Sequence, residues 1–198
     1  MPNKFYPVLN RASTLMQLCI VATALVWLAG GNYLWFAVGL ACAALACLPG
    51  VCLEDLGLRT ASGLCATSLL FAHVVFGMQA NLYETSQVYD KLMHALGSGA
   101  ITALVIFAML KFSSREGVCL PLPLFTCLVL ATAVSLGTIW EVFEFAIDRT
   151  GLFRSQRGLT DTMLDLIANA GGALTATAIF AALFKFRDRA AAYNIDGG

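Results

Sequence analysis

Tyr89-Asp90-Lys91-Leu92-Met93-His94-Ala95-Leu96-Gly97-Ser98-Gly99 opens an apolar run that continues to about residue 110. A run of about 20 apolar residues is what a helix needs to cross a bilayer. This one carries an aspartate and a histidine at its mouth. Spaced by four, Asp90 and His94 share one helical face, roughly 6 Å apart along the axis. Ionisable groups entering a membrane helix are costly, and they point by default to a functional position.

Five further runs surround this one, at about 14–30, 33–50, 61–80, 121–147 and 161–184. The chain is 59% hydrophobic and 12% charged, against about 25% charged residues in a soluble domain. The shortfall extends along all 198 residues, so the expected fold is all-α: one polytopic membrane bundle of about six helices, residues 1–198. Its motif-bearing core is about 80–180. Formal net charge is zero, which removes the electrostatic basis for nucleic-acid binding.

The connections are short. Residues 1–11 read as a polar leader with Lys4 and Arg11. Leu28-Ala29-Gly30-Gly31 is a poor cleavage site and further spans follow at once, so the first helix is expected to be retained. Pro49-Gly50 is expected to help end the second run, and Glu54, Asp55 and Arg59 form a polar connection. Trp27, Tyr33 and Trp35 cluster at one break, as in an interfacial aromatic belt.

Six spans put both termini on one side. That side holds Lys4, Arg11, Arg59, Lys111, Arg115, Lys185, Arg187 and Arg189; the other holds only Lys91, Arg149, Arg154 and Arg157. The positive-inside rule therefore favours cytoplasmic termini. On this topology Asp90 and His94 enter the fourth span from the outer side. Glu141, Glu144 and Asp148 leave the fifth there. Asp161, Asp165 and Asn169 enter the sixth from the same side. Spacings of three and four put each cluster on one face, and Gly97, Gly99, Gly137, Gly171 and Gly172 allow close helix packing.

Several carboxylates in a low-dielectric pocket must share protons, pair with bases or bind a cation. With one imidazole they form a shell for a divalent metal, Mg, Mn or Zn. The expected ligands are Asp90, His94, Glu144 and Asp165, with Glu141 or Asp161 as base. A metal-activated water would attack an ester or phosphoester, and a membrane lipid or lipid-linked headgroup is the expected substrate. Arg149, Arg154 and Arg157 would cradle its phosphate, or else balance the nearby carboxylates in a solvated loop. The same residues also serve two other classes of protein: a proton- or ion-coupled transporter, and a structural or accessory protein in which they fix helix packing. Whether the chain is an enzyme stays open at this level.

Other polar or reactive residues carry less. The seven cysteines (Cys19, Cys42, Cys47, Cys52, Cys65, Cys119 and Cys127) are odd in number, lack a CxxC pair and mostly sit in apolar runs. They read as small buried hydrophobes. His73 lies alone in the third run, where a hydrogen bond to a neighbouring helix is the expected role.

Three segments together carry a family resemblance. They are Tyr89-Asp90-Lys91-Leu92-Met93-His94 with Gly97, Gly137-Thr138-Ile139-Trp140-Glu141-Val142-Phe143-Glu144, and Gly158-Leu159-Thr160-Asp161-Thr162-Met163-Leu164-Asp165 with Asn169 and Gly172-Ala173-Leu174. In this order they resemble YjdF-type bacterial inner-membrane proteins. They are more distantly similar to the VanZ-like superfamily, with its D-K-x-x-H and D-x-x-x-N-x-x-G segments. The resemblance implies a multi-pass inner-membrane protein with Asp90, His94, Glu141, Glu144, Asp161 and Asp165 at the family's polar positions. It implies no particular reaction.

Overall fold

The computed structural model describes residues 5–195, with side chains described through Lys185. Helix α1 is Tyr6–Ala29, α2 is Tyr33–Cys52, and α3 is Leu56–Phe71. A π-helical segment, Ala72–Gln79, prolongs α3 without a break. A short α4, Leu82–Thr85, leads into α5, Gln87–Glu116, followed by α6, Leu122–Asp148, and α7, Leu159–Ile195. No strand occurs among the described residues. Among the described residues six helices are long and apolar enough to cross a membrane: α1, α2, α3 with its π-helical extension, α5, α6, and α7 through Lys185. The all-α expectation holds.

Helix ends differ from the apolar runs because hydropathy marks what lipid covers, not where backbone hydrogen bonding stops. The polar leader is mostly helix, since α1 starts at Tyr6 with Pro7 in its first turn, where a missing N–H costs nothing. Pro49 does not end α2, which runs on to Cys52. The polar connection after it is a cap: Asp55 Oδ1 accepts the Leu58 N–H at 2.7 Å and starts α3.

The chain divides into two compact units, Met1–Met93 and His94–Gly198, with the boundary inside α5. In the first unit, Ile20, Cys42 and Val74 form a small core with Trp27, Val38, Leu70 and Phe71 packed on it. Polar links pin its helices together. Ser13 Oγ donates to Thr67 Oγ1 at 2.9 Å, and Gln17 Nε2 donates to the Ala46 carbonyl at 3.3 Å. His73 does find a local partner, the Tyr83 hydroxyl at 2.7 Å from Nδ1, and Tyr89 donates to the Ala72 carbonyl at 2.7 Å. Of the cysteines only Cys42 is buried; the other six are exposed on the helices or their connections, so burial within the protein was the wrong expectation for them. In a bundle this small the outward face is the larger one, and an apolar side chain there meets lipid.

The second unit is built on stripes of every fourth residue. On α6 the buried positions are Phe125, Val129, Ala133, Gly137 and Glu141. On α7 they are Asp165, Asn169, Ala173 and Thr177, and on α5 Ser98, Thr102 and Ile106. Between these lines the surface is apolar and outward: Ile139, Val142 and Phe145 on α6 are each more than half exposed. Each stripe runs from ionisable or amide groups at one end to hydrocarbon at the other, where Ile106, Phe125 and Val129 pack with Met109, Leu120 and Phe180.

Small residues set the spacing at the polar end. A Cβ on Gly172 would strike the Ala95 carbonyl oxygen of α5, whereas one on Gly171 would meet nothing within 4 Å. Ser98 Oγ donates to the Asn169 carbonyl at 2.7 Å. Helices α5 and α7 therefore approach backbone to backbone, which brings their short polar side chains within reach.

Candidate functional site

His94 is the centre. Its Nδ1 lies 3.5 Å from Glu141 Oε1 and its Nε2 3.5 Å from Asp165 Oδ1. The three side chains are at most 9% exposed. A neutral imidazole has one N–H and one lone pair, so it can donate to only one of two flanking carboxylates. Two ionised carboxylates on one neutral ring also leave negative charge buried, which is costly. A second proton on the ring, a proton on a carboxyl or a metal ion would each offset that cost.

Glu144 joins the group one turn along α6. Single ligand atoms of His94, Glu141 and Glu144 lie within 4.8 Å of one another. A tetrahedral cation with bonds of about 2.1 Å wants its ligand atoms roughly 3.4 Å apart. The donor set, one imidazole and two carboxylates, is of the kind that holds Zn or Mn. Trp140 Nε1 donates to Glu144 Oε1 at 2.9 Å, holding that carboxylate from its own helix.

Asn169 lies one turn below Asp165 and is 5% exposed. Its Nδ2 has no hydrogen-bond partner among the described residues. Gly137 lets α6 come close here, since a Cβ would stand 3.0 Å from Asn169 Cβ and 3.3 Å from Nδ2. An amide donor is thus held next to the acidic group.

Asp148 and Asp161 are engaged by the loop between α6 and α7. Asp148 captures the loop after α6: Oδ1 and Oδ2 accept Ser155 N–H at 2.8 and 2.9 Å, and Oδ2 accepts Gln156 N–H at 2.8 Å. The loop so folded carries Gln156 back over the site, where its Nε2 donates to the Glu141 carbonyl at 3.0 Å. Asp161 takes the Arg157 N–H at 3.1 Å and faces its guanidinium Nε at 3.6 Å. Arg157 thereby balances a carboxylate, while Arg149 and Arg154 are exposed. Asp90 stands one turn before His94 on α5, in the first unit, buried and 3.1 Å from Lys91 Nζ.

The structure therefore brings His94, Glu141, Glu144 and Asp165 together, with Asn169 beneath them. Gln156 and Trp140 were not expected from sequence. The Trp140–Glu144 spacing of four was a readable signal. Gln156 gave none, because its position depends on how the loop folds on Asp148.

Six helices among the described residues long and apolar enough to span a membrane, with buried acid, amide and histidine groups, are the mark of a helical membrane protein. The chain belongs to the family described as "Predicted membrane protein (DUF2238)", which matches residues 12–186. A Thermotoga maritima protein described as "Uncharacterized protein" is 36% identical over 110 residues, covering 55% of this chain and 56% of the relative. The match thus spans little more than half of either chain. No solved structure matches.

Proposed function

We propose that the acid–histidine group is a divalent-cation centre in the outer half of a bacterial inner membrane, acting on an envelope lipid or lipid-linked headgroup. The observation that carries this reading is His94 held between the Glu141 and Asp165 carboxylates, with Glu144 close by, a donor set suited to a divalent cation. His94 through Nδ1, Glu141 and Glu144 would hold the ion. Asp165 would accept the N–H of Nε2 and fix the ring, the usual outer partner of a metal-bound histidine. In this reading Glu141 is a ligand rather than a base, and Asp165 an orienting group rather than a ligand.

A bound divalent ion supplies Lewis acidity and an activated water. The chain's own contribution is to exclude bulk water at the apolar end, to hold the ring and carboxylates, and to offer the Asn169 amide as a donor. Asp161, nearer the loop, remains the candidate base. The exposed Arg149 and Arg154 support an anionic headgroup as substrate. The lysine and arginine count favours cytoplasmic termini. The likeness to YjdF-type and, more distantly, VanZ-like proteins belongs to the same proposal and rests on the three quoted motifs.

A second reading is favoured by the same geometry: a histidine between two carboxylates is a path for one proton, as in a coupled transporter. Elemental analysis of the protein purified in detergent separates the two. About one Zn, Mn or Mg per chain, lost in His94→Ala, supports the metal centre. A metal-free protein that gains no thermal stability from any of the three ions overturns it in favour of proton transfer or a purely structural network.

A further inference from the structure

At the end of the second unit remote from His94 lies a groove of about 460 Å³. Its floor is the turn between α5 and α6, and α7 forms a wall. The turn is built by Gly117, whose φ of +64° lies in the left-handed region. That conformation lets the Val118 N–H reach back to the Ser113 carbonyl at 3.0 Å, closing α5. The lining is mainly hydrocarbon: Leu110, Leu120, Phe125, Phe180 and Phe184, with the Ser114 hydroxyl among them. Its volume falls in the range of small-molecule sites, about 300–1,000 Å³.

The charge beside the groove selects an occupant. Lys111 and Lys185 each follow a lining residue in sequence, Leu110 and Phe184, so both helices carry a basic residue next to the lining. Neither lysine has an acidic partner among the described residues. Arg115 Nε lies 3.8 Å from Glu116 Oε1, both side chains exposed. The sequence continues with Arg187 and Arg189 against the single acid Asp188. Basic groups beside an apolar gap between membrane helices suit a lipid with an anionic head.

We propose that this groove binds one anionic glycerophospholipid, with an acyl chain along Leu110, Phe125 and Phe180 and the phosphate near Lys111 and Lys185. The site is separate from the acid–histidine group, and its test does not depend on that group's role.

The full chain is released from detergent in a native mass spectrometer after incubation with phosphatidylglycerol or phosphatidylcholine of identical acyl chains. Phosphatidylglycerol should be retained roughly 25-fold more tightly, about fivefold for each lysine. The Lys111→Ala/Lys185→Ala protein should lose this preference, and the Lys111→Arg/Lys185→Arg protein should keep it. Ser114→Trp, which fills the groove, should weaken both lipids. Equal retention of the two lipids by the wild-type protein overturns the proposal. So does an undiminished preference in the double alanine protein, or a second copy of the chain bound in place of lipid.

Discussion

The side chain of Gln156 donates to the main-chain carbonyl of Glu141, 15 residues earlier, at 3.0 Å. Its Nε2 also lies 3.5 Å from Glu141 Oε2. A loop residue thus holds both the helix position and the carboxylate of a buried acid. Replacing Gln156 with Ala should leave the helices intact and loosen Glu141. If a cation binds there, its affinity should fall about 10–100-fold, as for other groups that orient a ligand. Isothermal titration with Zn or Mn checks this, and an unchanged affinity would assign Gln156 to loop closure alone.

Asp148 holds the same loop by taking two successive backbone N–H groups. Asp148→Ala should cost about 1–3 kcal/mol in loop stability. The expected sign is faster hydrogen exchange and faster proteolysis within residues 149–158. Asp148→Asn retains one acceptor oxygen and should fall between. Because the ordered loop carries Gln156, both variants should also reproduce part of the Gln156→Ala effect on the site.

Gly171 and Gly172 make a paired test of the close approach of α5 and α7. Gly172→Ala puts a methyl into the Ala95 carbonyl and should destabilise the protein by about 1–3 kcal/mol. Gly171→Ala meets open space and should be neutral, or stabilising by up to about 1 kcal/mol through helix propensity. Thermal unfolding in one detergent compares them directly. Equal shifts in Tm would show that the contact at Gly172 does not limit packing.

Substitutions at His94 distinguish charge from shape. His94→Gln keeps hydrogen-bonding groups but cannot become an imidazolium. It should abolish metal retention and, by leaving Glu141 and Asp165 without their shared base, lower thermal stability. Asp165→Asn should lower metal affinity about 10–100-fold without abolishing it, if Asp165 acts through the ring. Complete loss in Asp165→Asn would make it a direct ligand.

Much of this was readable in the chain. Apolar runs fixed the number and order of the spans, and the spacing of Glu141, Glu144, Asp161, Asp165 and Asn169 fixed their faces. Spacing alone did not separate duties within a cluster. Asp148 lies four residues beyond Glu144 and would continue that face, yet its carboxylate turns to the loop backbone. Asp161 and Asp165 share a face, yet one meets Arg157 and the other His94. Those differences depend on where a loop folds back and how closely two helices approach. The approach turns on a single hydrogen atom at Gly172, while its neighbour Gly171 looks identical in the sequence.

The hydrocarbon ends of the stripes have an electrical consequence. Ile106, Phe125 and Val129 form a hydrocarbon cluster in the second unit, beyond the site. In a membrane, most of the voltage falls across hydrocarbon. With the site open to one aqueous side, charge at Glu141 and Asp165 would follow the potential of that compartment. Proton or ion exchange at His94 should respond weakly to voltage, whereas any charge carried past Phe125 would feel nearly all of it. The second unit would then behave as a one-sided electrode, and a through-conducting cycle would have to move that cluster on every turn.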